Sequence, residues 1–434
     1  MGMPVLPRLR TRTVVAEDPG NLILHTDPWH PVVWLRRGEG LAASGTAWEG
    51  RFRGSSRVPD AGVAWSELVA AAEIDDDVQV PGSGLVGFAA FAFDDHSRAA
   101  SVLRVPRTVV GRRDGACFVT TITADGAEPS RPTLGAQAPL GVDARTRFRE
   151  GAMTASAHTH AITHAVDLIR EGVLTKVVIA RDLDGRLAAG ADRRHVLTRL
   201  ADSYSDCWTY AVDGLVGASP EMLVRVLGGQ VSARVLAGTT RRGRTPQEDA
   251  SLEHDLRRNP KDRIEHRLAI DSAIAQLASL DDHDEPETGL TVSPEPFALA
   301  LPNVWHLASD IRGALPQGRT VLDLVHALHP TAAVGGTPTG VAVETIRRLE
   351  RYDRRRYAGP VGWLDWRGDG EFAVALRGAE IDDDGRVTAF AGGGIVADSN
   401  PMEEFAETEL KFRPITQALG DDTERDAPPR LGPR

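Results

Sequence analysis

Beyond about residue 150, short β-branched runs follow one another through Gly-containing connections, broken only by isolated helical patterns. The runs at 173–183, 208–216, 221–226, 231–237, 358–366, 371–381 and 386–391 read as strands close enough for antiparallel pairing. Residues 157–171 read as a helix. Ile162, Ala165, Val166 and Ile169 follow an i, i+3, i+4, i+7 stripe, and Gly172 stands where a C-cap glycine would. Residues 261–280 form a second helix, with Ile270, Ile274 and Leu277 on one side, and residues 401–419 a third. Strand clusters interrupted by isolated helices predict an α+β fold with antiparallel sheets, not βαβ alternation.

A chain of 434 residues is long enough for two or three domains, or one large one. Residues 1–12, with two prolines and three arginines, read as a flexible N-terminus, and the polar, Pro-rich residues 420–434 as a disordered tail. The Gly-, Pro- and Ala-rich stretch 124–143 reads as a long loop. It joins an N-terminal part, 13–145, to a denser region, 146–419.

A net charge of −11 argues against binding to nucleic acid or anionic lipid, because both need clustered Lys and Arg. Two cysteines, Cys117 and Cys207, make neither a disulfide framework nor a Cys-rich zinc module. The longest apolar stretch, 85–93, is too short to span a bilayer, and residues 1–15 contain no signal-peptide core. A cytoplasmic globular protein is expected.

Several residues can carry chemistry. Asn400 reads as the N-cap of the last helix, Pro401 as N1 and Glu403 as close to a capping box. Glu404 and Glu407 share a helix face at i, i+3, and Asp262 and Glu265 repeat that spacing on the 261–280 helix. Carboxylates from two helices can converge on a hard divalent cation; the alternative is solvated acids favoured by helix dipoles. Lys176, between apolar neighbours on a strand, points either to solvent or into a cleft where desolvation would make it a usable base. Glu221, after Gly217-Ala218-Ser219-Pro220, can be turned inward and serve as an acid. Arg377 reads as a mid-strand arginine awaiting an anion or a salt bridge.

Gly392-Gly393-Gly394, read as following the last strand, lets backbone N–H groups approach a ligand but matches neither the P-loop nor the GxGxxG pattern. His158, His160 and His164 lack the HExxH context of a zinc enzyme and read as a solvated polar face.

Nine segments in order then resemble one family. They are KVVIAR (176–181), GASPE (217–221), LAGTTRRG (236–243), KDRIEH (261–266), WHLAS (305–309), HPTAAVGGTP (329–338), RYAGPVGW (356–363), ALRGAEI (375–381) and FAGGGIVADSNPMEEFAETELK (390–411). Together they are similar to the chorismate-utilising enzymes, and within these to isochorismate synthases. The resemblance implies a single large α+β domain of two antiparallel sheets, with helices outside and the active site between the sheets.

It further implies one Mg²⁺, held by Glu265 and Glu407 directly with Glu404 and Asp262 around them. Arg377 and Lys411 would hold the enolpyruvyl carboxylate, Gly393 and Gly394 would give close backbone contact, Gly238 and Thr239 would line the pocket, and His306 would sit beside the ring. Lys176 would be the base that activates water for attack at C2 of chorismate, and Glu221 the acid that protonates the hydroxyl leaving C4.

Relatives that use ammonia usually lack the lysine at 176 and work with a glutaminase partner, so neither ammonia nor a glutaminase subunit is expected. A monomer or weak homodimer is the expected state. Salicylate synthases, which go on to eliminate pyruvate, are the alternative; they typically carry a threonine where Ala333 stands, so release of isochorismate is favoured. Such a product feeds menaquinone or siderophore biosynthesis.

Overall fold

The computed structural model describes residues 6–124, 126–243, 245–278, 280, 289–300 and 304–421; within these, the side chains of Thr239, Lys261, Glu265, Ser272 and Val304 are not described. Residues 1–5 of the expected flexible N-terminus and 422–434 of the expected tail therefore lie outside the described residues.

The ends that are described are tied down. Arg10–Val15 is a strand running antiparallel to Ala116–Thr123 and parallel to Glu73–Asp76, so the expected fraying through residue 12 is corrected. At the other end Asp421 is buried, and its carboxylate accepts the N–H of Phe148 at 3.0 Å.

Among the described residues the strands form two large sheets, of 13 and 10 strands, and one small pair. Pairing is antiparallel except between Arg10–Val15 and Glu73–Asp76 and between Val142–Asp143 and Ala191–Asp192. The fold is α+β, with open sheets. Each large sheet draws strands from both sides of residue 145. Val33 stands opposite Ala211 in one, and Ala90 opposite Val361 in the other. Trp34, Tyr210, Phe88 and Trp363, all essentially inaccessible, form one apolar cluster contributed by both sheets. Burial on that scale is the main force holding the layers together.

Turn chemistry divides several runs that read as single strands. The 208–216 run is a hairpin, Trp208–Val212 and Leu215–Ser219, because Asp213 and Gly214 both adopt positive φ (50° and 82°). This Asp-Gly pair suits the right-handed twist of a two-residue turn. The 371–381 run likewise divides into Gly370–Val374 and Gly378–Ile381, with Arg377 at φ 53° in the connection; Arg377 is not mid-strand. The last strand extends to Arg386–Ile395, so the glycine triplet lies within it, opposite Val178, Ile179 and Ala180.

The helices follow their sequence patterns closely. Ala155–Arg170 ends one residue before Glu171, with Gly172 at φ 78°. Pro260–Ala278 and Pro401–Ala418 are the other two. Asn400 caps the last helix by accepting the N–H groups of Met402 and Glu403; among the described residues the Glu403 side chain returns no bond, so the box is half made.

Candidate active site

Lys176 opens the Lys176–Arg186 strand, which lies along Arg386–Ile395 from Val177 onward. Its side chain runs beside Gly394: a β-carbon there would lie 3.0 Å from Lys176 Cε and 3.7 Å from Nζ. On the opposite face of that strand, a β-carbon at Gly393 would lie 2.9 Å from a Glu404 carboxylate oxygen and 3.9 Å from Lys411 Nζ. The glycines therefore make room for a lysine on one side and for the last helix on the other.

Glu221 follows the Leu215–Ser219 strand and is fixed through its backbone. Its N–H donates to Ser219 Oγ (3.2 Å), the Ser219 hydroxyl donates to the Val374 carbonyl (2.6 Å), and the Val374 N–H donates to the Glu221 carbonyl (3.0 Å). Burial pushes the Glu221 carboxyl above the ordinary carboxylate range, while the positive charges of Lys176, Arg377 and Lys411 pull it back. All three cations therefore act on one enclosed carboxyl, and burial prevails.

Arg377 carries no ion pair among the described residues, although a salt bridge is the ordinary expectation for an enclosed arginine. Burial lowers its pKa, and Tyr357, Cys207 and Glu407 act against that. Its left-handed backbone, in the short connection between two strands, turns it out of the ladder.

Lys411 is less free: it pairs with Glu407 one helical turn away and donates to the Gly392 carbonyl at 2.9 Å. Glu404, on the same helix, accepts the Ser399 hydroxyl at 2.7 Å. Burial, and then repulsion from Glu407, raise its pKa against the Ser399 hydrogen bond.

The facing wall comes from the smaller large sheet. Gly238 interrupts the pairing of Gln230–Arg241 with Val304–Ala314, in a bulge with φ 78° between Leu236 and Thr239. A β-carbon at Gly238 would lie 3.2 Å from Asp262 Cβ, so the first turn of the Pro260–Ala278 helix rests on the bulge. His266 holds it there. Its ring bonds the Ala237 carbonyl at 3.1 Å and Ser309 Oγ at 2.9 Å. His306 stands opposite Thr239; burial first, and the nearby Lys176, push its pKa down to about 4, which leaves it neutral at pH 7.

Ala333 lies in the turn 329–336, where the Gly335 N–H donates back to Thr331. Gly336 at φ 143° brings this turn against Lys176: a β-carbon there would sit 2.2 Å from the Lys176 carbonyl oxygen.

Lys176, Glu221, His306, Arg377, Glu404, Glu407 and Lys411 are thus linked by mutual electrostatic action. Gly393 and Gly394 lie against them, and Gly238, Asp262 and Ala333 on adjoining walls. The side chains of Thr239 and Glu265 lie outside the described residues. Glu404 and Glu407, two repelling carboxylates on one helix face, are the kind of hard-oxygen donor that Mg²⁺ prefers, and Asp262 beside Gly238 is another, so the donor types fit such an ion chemically. No cluster of three metal-ligating side chains occurs among the described residues.

The histidine run is corrected in part. His158 is buried against Phe405, with burial lowering its pKa to about 4, whereas His160 and His164 are exposed. His158 falls on the apolar stripe of its helix with Ile162, which is why it turns inward. Sequence reading also missed His266 and Ser219, whose partners lie far away in sequence or in the backbone. A separate cavity of about 570 Å³, lined by Asp182, Arg355, Arg356 and Glu380 among others, contains none of the site residues. No described helix is long and apolar enough to cross a membrane.

Comparison with known proteins bears on the family and the fold. The chorismate binding enzyme family model matches residues 32–420. A Mycobacterium tuberculosis protein assigned as isochorismate synthase MenF is 41% identical over 274 residues, covering 60% of this chain and 72% of that protein. Isochorismate synthase DhbC of Bacillus subtilis is 36% identical over 277 residues, 61% of this chain and 68% of that one. The solved structure of MenF, the menaquinone-specific isochorismate synthase of Escherichia coli, is 25% identical and superposes with a TM-score of 0.72, covering 96% of each chain. With a family match across most of its length and the full fold shared, this chain belongs to the chorismate binding enzymes.

Proposed function

We propose that the protein is an isochorismate synthase, converting chorismate to isochorismate by adding water at C2 as the C4 hydroxyl departs. The observation that carries this reading is that the charge of Lys176 acts on Glu221, an enclosed carboxyl that burial holds above its usual range. Water is a poor nucleophile, so a base must take its proton, and that role falls to Lys176. Hydroxide is a poor leaving group, so protonated Glu221 supplies one. The isomerisation leaves the mass unchanged and needs neither ammonia nor a glutaminase subunit.

Chorismate is a dicarboxylate. Arg377, enclosed and without an ion pair among the described residues, is suited to one of these groups, and Lys411, which acts with it on Glu221, to the same pocket. Neutral His306 can lie against the ring without adding charge. Glu407, Glu404, Asp262 and Glu265 would hold Mg²⁺, which when bound offsets the repulsion between the substrate's ring carboxylate and these acids. Ala333 adds no hydroxyl to the turn beside Lys176, in keeping with release of isochorismate rather than elimination of pyruvate. The product would supply menaquinone or siderophore synthesis in the cytoplasm, from a monomer or weak homodimer.

The test is chromatography with mass detection after incubating the protein with chorismate, with and without Mg²⁺. A Mg²⁺-dependent isomer with no pyruvate is expected. Salicylate plus pyruvate would shift the assignment to a salicylate synthase, and no conversion would overturn the reading.

A further inference from the structure

The Lys176–Arg186 strand is paired along one edge from Val177 to Arg186, but only in part along the other. On that second edge Gly336–Thr337 covers Lys176 and Val177, and Arg149–Glu150 covers Leu183 and Asp184. Between them three backbone groups find partners of other kinds. The Val178 N–H donates to the Gly335 carbonyl at 2.9 Å. The Val178 carbonyl accepts Arg354 Nη2 at 2.8 Å, and the Ala180 N–H donates to Glu350 Oε1 at 2.8 Å.

Arg354 and Glu350 are themselves a buried ion pair, joined Nε to Oε2 at 2.8 Å and Nη2 to Oε1 at 2.5 Å. The guanidinium lies over the Phe93 ring, and its Nη1 donates to the Val334 carbonyl at 3.0 Å. The pair therefore takes the place of a neighbouring strand.

A buried ion pair is a poor device for stability alone, since well-packed apolar residues often serve as well. What an apolar pair lacks is the planar fork, which bonds two carbonyls at once in fixed geometry. One of those carbonyls, on Val178, is two residues from Lys176. The other, on Val334, is next to Ala333.

We propose that Arg354, held by Glu350, is a positioning residue that fixes the distance between the Lys176 strand and the turn 329–336. Neither residue touches the substrate. The fork sets where the lysine amine stands relative to the turn that closes over it. In its catalytic consequence this inference rests on the proposed reaction; in its structural consequence it does not.

The test compares wild type with Glu350→Gln/Arg354→Met, which removes both charges together, and with Arg354→Lys, which keeps the charge but not the fork. Expected is a folded double variant with kcat per folded molecule lowered at least tenfold and KM changed less than threefold. Arg354→Lys should recover part of the loss. A folded double variant with wild-type kcat overturns the proposal. If the double variant does not fold, Arg354→Lys decides alone: a tenfold loss of kcat at unchanged Tm supports positioning, and wild-type kcat overturns it.

Hydrogen exchange at the amides of Val178, Ala180 and Gly335 gives a second readout, expected to quicken at least tenfold in whichever variant folds. If wild type does not convert chorismate, the proposed reaction fails while this readout still judges the positioning. Unchanged exchange would then overturn it.

Discussion

Lys176 Cε lies 3.0 Å from the point where a side chain would begin at Gly394, so the lysine amine occupies ground that only glycine leaves free. Gly394→Ala should displace the amine by a few tenths of an ångström while leaving the strand intact, because no left-handed backbone is involved. A misplacement of this kind costs roughly tenfold in turnover. Isochorismate formation by Gly394→Ala at matched folded protein checks this; wild-type rates would show that the amine is not where turnover needs it.

Lys176→Ala and Glu221→Gln should each fold as wild type and lose turnover by about 10² or more. Product formation from chorismate, alongside thermal unfolding, measures both. Near wild-type turnover in Lys176→Ala would remove it as the base.

The raised pKa of Glu221 fixes the direction of a pH effect. Its acid form persists to higher pH than an ordinary carboxyl allows, and turnover needs that form. A limb of kcat should therefore fall as pH rises through the shifted value, and Glu221→Gln should lack that limb. A pH–rate profile of wild type without such a limb would dissociate Glu221 from the chemistry.

Glu407→Gln should raise the Mg²⁺ concentration for half-maximal activity at least severalfold, since it removes a charged hard-oxygen donor and breaks the ion pair with Lys411. A metal titration of activity reads this directly. An unchanged Mg²⁺ requirement would take Glu407 out of the metal site.

Asp365 offers a stability test far from the chemistry. It is wholly buried and accepts N–H groups from Gly82, Arg367 and Asp369, yet burial, reinforced by the charge of Asp369, pushes its pKa up to about 7. The folded state therefore holds this proton more tightly than the unfolded state. The stabilisation is complete below the ordinary carboxylate pKa and lost as pH rises through about 7. Wild type should lose a few kcal/mol at most between about pH 5 and pH 8 relative to Asp365→Asn. Urea unfolding at several pH values measures the difference in slope; parallel curves would contradict the shift.

What the sequence revealed, and what it concealed, divides by the range of the interactions. Helix ends were legible because Asn400, Pro401 and Gly172 act on their own neighbours. The Asp213-Gly214 turn was equally legible by its type, but the apolar residues on both sides made one continuous run of it. The left-handed Arg377 gave no such warning, since nothing in ALRGAEI marks a break before Gly378. The acids and lysines of the site were found as motifs in series. Their convergence was implied only by the family resemblance and by no local pattern, because only the sheets bring residues 176, 221, 306 and 411 together. The partnership of Arg354 with the Val178 carbonyl, 176 positions away, leaves no local trace at all.

Because Val33 pairs with Ala211 and Ala90 with Val361, the segment before residue 145 is woven into the same two sheets that bear the chemistry. A fragment beginning at residue 146 would bare the edges of Trp208–Val212 and Pro360–Asp365 and strip the cover from Tyr210 and Trp363. Such edges invite pairing between chains. Cutting the gene there should give inclusion bodies rather than a smaller enzyme, and changes in this motif-poor third should be felt at the active site through the sheets.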